Sequence, residues 1–235
     1  MAGAVAAMNI GGFQKVSLID YPGRISAVVF TQGCNFRCPF CHNPELVDPV
    51  RFGPLLNEAE ILAFLERRRG TLDGVSITGG EPSLQPDLGA FAARLKAMGF
   101  LVKIDTNGSR PEVLRDLIGQ RLIDAVAMDI KGPPKKYDGL TGVKDSGRTV
   151  EESIGVILAS GLTHEFRTTV VPSLLAERDF RQIGRLVAGA ASFVVQAYVR
   201  TKQLDPAVPP PGAEPPDLAQ CAARVAPHVT RVRIR

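Results

Sequence analysis

The sequence predicts an α/β protein, a partial, open (β/α)6 barrel around a parallel sheet. Three observations carry that prediction. Apolar, β-branched runs alternate six times with segments of helical periodicity, joined by short connections. Such alternation implies right-handed βαβ crossovers and parallel strands. A closed eight-unit barrel takes about 250 residues; the 235 residues here also carry tails, so six units fill the chain. Finally, the chemically marked residues follow the first four strands, and strand C-termini are the ligand-binding end of such sheets.

The elements read in order. Residues 25–30 (ISAVVF) form a buried strand that leads into a cysteine-rich loop. Asn57 caps a helix over 58–69, with Ile61, Leu62, Phe64 and Leu65 on its buried side. A second strand, 74–78, ends in Gly79-Gly80-Glu81-Pro82, and a helix spans 86–98. Strand 100–104 ends in Asp105-Thr106-Asn107-Gly108, and Pro111 opens a helix to about 121. Strand 124–130 precedes a loop, 132–147, rich in Gly, Pro and Lys. Helix 149–160, strand 164–171, helix 177–188 and strand 193–199 complete the repeats. Residues 205–216 (DPAVPPPGAEPP) are too proline-rich for helix or central strand and read as an extended loop, either a partner-facing lid or a plain connector. A helix at 217–226 and a strand at 229–235 close the chain; alternating Arg231, Arg233 and Arg235 protect an edge.

Length suits one domain, 1–235. Residues 1–8 (MAGAVAAM) read as a disordered leader, since they lack the basic start of a signal peptide. No apolar run approaches the roughly 20 residues of a membrane span, so no membrane role is expected. Net charge is +4, too mild to argue for nucleic acid without a focused basic patch. Three of four cysteines fall in one short stretch, which argues against a disulfide framework and for a reducing cytoplasm. There is no phosphate loop, dinucleotide fingerprint or histidine-based triad.

The stretch is Thr31-Gln32-Gly33-Cys34-Asn35-Phe36-Arg37-Cys38-Pro39-Phe40-Cys41-His42-Asn43, with cysteines spaced C-x3-C-x2-C. Three thiolates on one loop can share one metal centre. A [4Fe–4S] cluster fully ligated by protein takes four cysteines, so three leave one iron open for another ligand, and an open position usually means chemistry. The alternatives are a zinc site completed by His42, which adjacent ligands are poorly placed to close, or unrelated thiols. Cys221 lies far off, on a predicted helix.

This motif resembles that of the radical S-adenosylmethionine (SAM) superfamily. With the lead-in Gly12-Phe13-Gln14-Lys15-Val16-Ser17-Leu18-Ile19-Asp20-Tyr21-Pro22-Gly23, the CHNPEL run and the strand-end motifs in order, residues 9–200 are similar to the glycyl-radical enzyme activases, in particular those of anaerobic ribonucleoside-triphosphate reductases. The resemblance implies the barrel type and a [4Fe–4S] cluster on Cys34, Cys38 and Cys41. It also implies that Gly79, Gly80 and Glu81 hold the methionyl amine of SAM, and that the Phe40 backbone meets the adenine. Asp105, Thr106, Asn107, Asp129 and Lys131 would join the SAM pocket, with a monovalent cation on Asp105, Thr106, the Ala127 carbonyl and Asp129. Arg167 would reach the SAM carboxylate or ribose, with Tyr198 and Arg200 at the same end. From the residues alone, a Gly-Gly-Glu turn with a solvated Glu81, a Lys131–aspartate pair and a plain Asn107-Gly108 turn stay open.

The implied reaction is reductive cleavage of SAM to methionine and a 5′-deoxyadenosyl radical, which takes hydrogen from a glycine of a partner reductase. The electron would come from a donor such as flavodoxin or ferredoxin. A small-molecule radical SAM enzyme, such as a 7-carboxy-7-deazaguanine synthase, is the rival; a non-catalytic iron–sulfur or zinc protein is the rival of another class.

Overall fold

A computed structural model describes residues 7–235, which form two compact units. The first comprises the chain to Asn35, Glu45–Thr106 and Glu112–Val126; the second comprises Phe36–Pro44, Asn107–Pro111 and Ala127–Arg235. Most of the leader reading falls on residues outside the described ones. Met8 does not: it is buried, and its N–H donates to Glu58 Oε2 at 2.8 Å.

The first unit opens with β1 (Ile10–Ser17), which pairs antiparallel with β2 (Ser26–Thr31). A short α1 (Pro44–Val47) and α2 (Glu58–Glu66) follow. Asn57 Oδ1 accepts from Ala59 N–H, the cap its residue type predicts. Next come β3 (Gly74–Gly79), α3 (Leu88–Ala97), β4 (Leu101–Thr106) and α4 (Pro111–Gly119). β2, β3 and β4 pair in parallel and in order. Ala27, Val28, Val29, Val75, Ile77, Val102 and Ile104 are fully buried; each Val or Ile is worth roughly 1.5–3 kcal/mol.

β5 (Ala125–Asp129) carries the chain onward. The second unit holds α5 (Tyr137–Thr141), α6 (Ser146–Ala159), β6 (Thr163–Val170), α7 (Asp179–Leu186), β7 (Phe193–Ala197), α8 (Leu218–Val225) and β8 (Val232–Ile234). β6, β7 and β8 again pair in parallel. The fold is thus α/β with parallel pairing dominant, as the sequence predicts.

Beside the short α1, β1 and α5 depart from the sequence reading. β1 is hidden because Gly11-Gly12 and the exposed Gln14-Lys15-Val16 carry little strand signal. The 132–147 loop contains α5, because Gly142 at φ +70° ends a helical turn and Asp138 accepts from the Asp145 and Ser146 N–H groups. The proline-rich 205–216 segment has neither helix nor strand. β7 ends at Ala197, so Tyr198 and Arg200 belong to the segment beyond it.

Candidate functional site

In the first unit, the root of the cysteine stretch is tied to the end of β3 by backbone bonds. Gly80 N–H donates to the Thr31 carbonyl and Glu81 N–H to the Gly33 carbonyl, both at 2.8 Å. Gln85 Nε2 donates to the Gln32 carbonyl at 3.0 Å. This closeness demands glycine. A Cβ on Gly80 would lie 2.1 Å from the Gly33 oxygen, and one on Gly79, at φ +113°, 2.4 Å from the Thr31 nitrogen. What approaches these two glycines is the chain leading to Cys34.

Glu81 is fully buried, not the solvated turn residue of the bland reading. Its Oε1 accepts from Ser83 N–H at 3.0 Å, from Ser83 Oγ at 2.5 Å and from Thr106 Oγ1 at 2.7 Å. Three donors on one oxygen fix the carboxylate's orientation. Ser83 has no signal in the sequence. Thr106 is buried, while Asp105 pairs with the buried Lys103.

In the second unit, Arg37 N–H donates to the Thr141 carbonyl at 2.7 Å, and Cys41 N–H to the Cys38 carbonyl at 3.0 Å, turning the chain between the two cysteines. Phe40 is buried in that turn. Burial pushes the Cys38 thiol up to about 11; the Lys131 ammonium pulls it down, while Cys41 and Asp129 push it up further. Lys131 and Asp129 therefore sit within electrostatic reach of Cys38. Lys131 Nζ lies 3.0 Å from Asp129 Oδ2, and Arg167 Nε 2.9 Å from Asp129 Oδ1. Burial alone would raise the Asp129 carboxyl, but its two cations win and hold it well below the usual range. The same partner holds Lys131 above its ordinary value against burial. The Lys–Asp pair left open by the sequence is present, and Arg167 serves that aspartate.

The buried Tyr137 adds a group the sequence did not mark. Its hydroxyl accepts from Lys131 N–H at 3.1 Å. Asn107 Oδ1 accepts from Ser109 N–H at 2.9 Å, so this residue does make a turn. At Gly108, φ +75°, a Cβ would overlap the Met128 side chain.

None of the four cysteines is in a disulfide, and Cys221 is buried on α8. Among the described residues no three His, Cys, Asp or Glu side chains are gathered to hold a single metal ion, and the three motif cysteines are among those not so gathered. A cubane core is larger than an ion and holds its thiolates further apart. One atom fits a group bound at this stretch: His42 Nε2 is buried without a hydrogen-bond partner, a costly state unless something satisfies it. Burial holds that imidazole below its ordinary value, against the Val199 backbone, which raises it.

Residues 28–185 match the model of the Radical SAM superfamily. The chain is 36% identical over 195 residues to a putative glycyl-radical enzyme activating enzyme of Methanocaldococcus jannaschii, covering 80% of this chain and 79% of that one. It is 30% identical over 190 residues to the pyruvate formate-lyase-activating enzyme of Clostridium pasteurianum, covering 76% of each. Similarity to the 7-carboxy-7-deazaguanine synthase of Methanopyrus kandleri is 35% over 133 residues, covering 48% of this chain and 52% of that one.

Proposed function

Because this chain belongs to the radical SAM superfamily, we propose that it is a glycyl-radical enzyme activase whose protein substrate is an anaerobic ribonucleoside-triphosphate reductase. The observation that carries the activase reading is the 36% identity to a putative activating enzyme along most of both chains. The choice of reductase rests on the lead-in at 12–23 and the CHNPEL run.

Cys34, Cys38 and Cys41 would hold a [4Fe–4S] cluster. When bound, that cluster supplies the electron that cleaves SAM to methionine and a 5′-deoxyadenosyl radical. The chain's own residues do the positioning. Glu81, oriented by Ser83 and Thr106, offers a carboxylate to the SAM ammonium. Gly79 and Gly80 keep the cysteine root against β3. Phe40 packs an apolar side chain inside the cysteine turn. Asp105, Thr106, Asn107, Asp129, Lys131 and Arg167 would be the further SAM-binding residues. A monovalent cation on Asp105 and Asp129 would compete with Lys103 at the first, and with Lys131 and Arg167 at the second. The electron would come from a flavodoxin or ferredoxin. No helix among the described residues is long and apolar enough to cross a membrane, and a cytoplasmic setting suits cysteines that form no disulfide.

The test is anaerobic reconstitution with iron and sulfide, chemical reduction, and assay for 5′-deoxyadenosine and methionine. Cleavage supports a radical SAM enzyme; a loaded, reduced protein that leaves SAM intact contradicts it. The deazaguanine synthase similarity keeps a small-molecule substrate as the second reading, which the glycyl-radical measurement below separates.

A further inference from the structure

The segment after β7 runs to α8 with no regular structure, since its prolines deny it both helix and central strand. It is nevertheless braced within itself. Tyr198 Oη donates to Gln203 Oε1 at 2.8 Å, and Gln203 Nε2 donates to the Val208 carbonyl at 2.9 Å. Gln203 is only 8% exposed, a costly place for an amide unless its bonds are made. Arg200 donates to the Pro206 and Pro209 carbonyls. Prolines with fixed φ stiffen what these bonds hold.

This braced segment also grips the cysteine turn, through a backbone bond and a ring contact. Asp205 N–H donates to the Pro39 carbonyl at 2.9 Å. The Tyr198 ring lies against the His42 imidazole, with centroids 5.2 Å apart and planes tilted by 32°. Pro39 and His42 bracket Phe40 and Cys41, and Pro39 directly follows Cys38. A mere connector needs neither an internal brace nor these contacts.

We propose that residues 198–209 are a strap that positions the Cys38–His42 turn, with Gln203 as its brace and Tyr198 and Asp205 as its points of contact. On this account the strap sets how tightly Cys38 and Cys41 retain a cluster. Tyr198 and Gln203 are positioning residues: they act through the turn rather than on SAM. The proposal rests on the radical SAM reading of those cysteines. It gives the proline-rich region a task unlike either a partner-facing lid or a connector.

Two measurements on the full-length protein test it. The first is the rate at which a ferrous chelator strips iron from the reconstituted protein, followed by loss of visible absorbance. Outer-shell partners of metal ligands typically matter by about 10–100-fold in affinity. Gln203→Ala and Tyr198→Ala should therefore lose iron roughly tenfold faster than the parent. Tyr198→Phe keeps the ring stack and loses only the hydroxyl bond, so its rate should fall between. The second is hydrogen exchange of the peptide covering 36–42 in the metal-free protein, which should quicken in the same order. Should Tyr198→Ala fail to fold, the milder two variants decide. Both rates staying within about twofold of the parent in Gln203→Ala and Tyr198→Phe would overturn the strap. If the parent takes up no cluster, the exchange measurement still judges the strap, and it is the radical SAM reading that fails.

Discussion

The cysteine stretch is held by two kinds of bonding. Its root, Thr31–Gly33, is fastened by backbone groups to Gly80 and Glu81. Its turn, Cys38–His42, is fastened by the Asp205 amide and the Tyr198 ring, and the Lys131 charge acts on the Cys38 thiol. Backbone bonds between strand ends tolerate almost no substitution, because an added Cβ meets main chain that cannot move aside. Side-chain contacts are adjustable, and charge near a thiol alters its chemistry as well as its place. The root is thus a fixed support, while the turn is where retention and polarity can be tuned.

The largest effect should come from the ligands themselves. Cys34→Ala, Cys38→Ala or Cys41→Ala should abolish iron uptake and visible absorbance on reconstitution. Cys221→Ala, on a buried helix face, should leave both intact. Iron loss in the Cys221 variant would break the three-ligand account.

At the root, Gly80→Ala forces a Cβ against the Gly33 carbonyl. A cost of about 2–4 kcal/mol is expected, read from urea unfolding of the metal-free protein. A loss no larger than that of a typical surface substitution would show that the root gives way, and the contrast between rigid root and adjustable turn would fail.

Glu81→Gln sharpens the same comparison on the ligand side. A charge-assisted hydrogen bond is worth roughly 1.5–3 kcal/mol, so SAM affinity should fall by about one to two decades, with the cluster still assembled. Calorimetric titration showing unchanged affinity would remove Glu81 from the site and leave it a local cap for Ser83.

The smallest effect is on pH dependence at the turn. The Asp129 carboxyl is depressed in the folded state, so its stabilisation is present above the unfolded value of about 3.9 and is lost as pH falls below it. Lys131 is raised, so its share is present below about 10.4 and is lost only as pH climbs above that. Asp129→Asn should therefore flatten the acid limb of the stability curve below about pH 4. Urea midpoints measured down that limb that fall as steeply in the variant as in the parent would remove the ion pair from the account.

The sequence made the root more legible than the turn. β2, β3 and β4 announce themselves as apolar, β-branched runs, and motifs at their ends follow from chain order. The Asn57 cap is readable from residue type and position. Glu81 was legible as a strand-end carboxylate, but its burial was not, because two of its three donated bonds come from Ser83 and the third from Thr106, a strand away. Lys131 beside Asp129 could be paired from their spacing. Arg167 could not be assigned to that aspartate, since the contact joins residues 38 positions apart. Tyr137 lies in a segment whose Gly, Pro and Lys content advertises a loop, and Gln203 just before the proline-rich stretch; composition says nothing of which buried bonds a loop makes. The lead-in, on which the choice of reductase leans, spans both ends of the strands. Its Gly12 end pairs with Phe30 near the end of β2, whereas at its other end Ser76 Oγ bonds the Asp20 carbonyl and Tyr21 packs against Gly74, at the start of β3.

The activase claim itself has one direct test. The reduced, reconstituted protein is mixed with SAM and an anaerobic ribonucleoside-triphosphate reductase, and the mixture is frozen for electron paramagnetic resonance. The account predicts a glycyl doublet on the reductase that collapses when its glycine carries deuterium at Cα. SAM cleavage with no such signal on the reductase, together with turnover of a small molecule, would contradict it and leave the deazaguanine-type reading in its place.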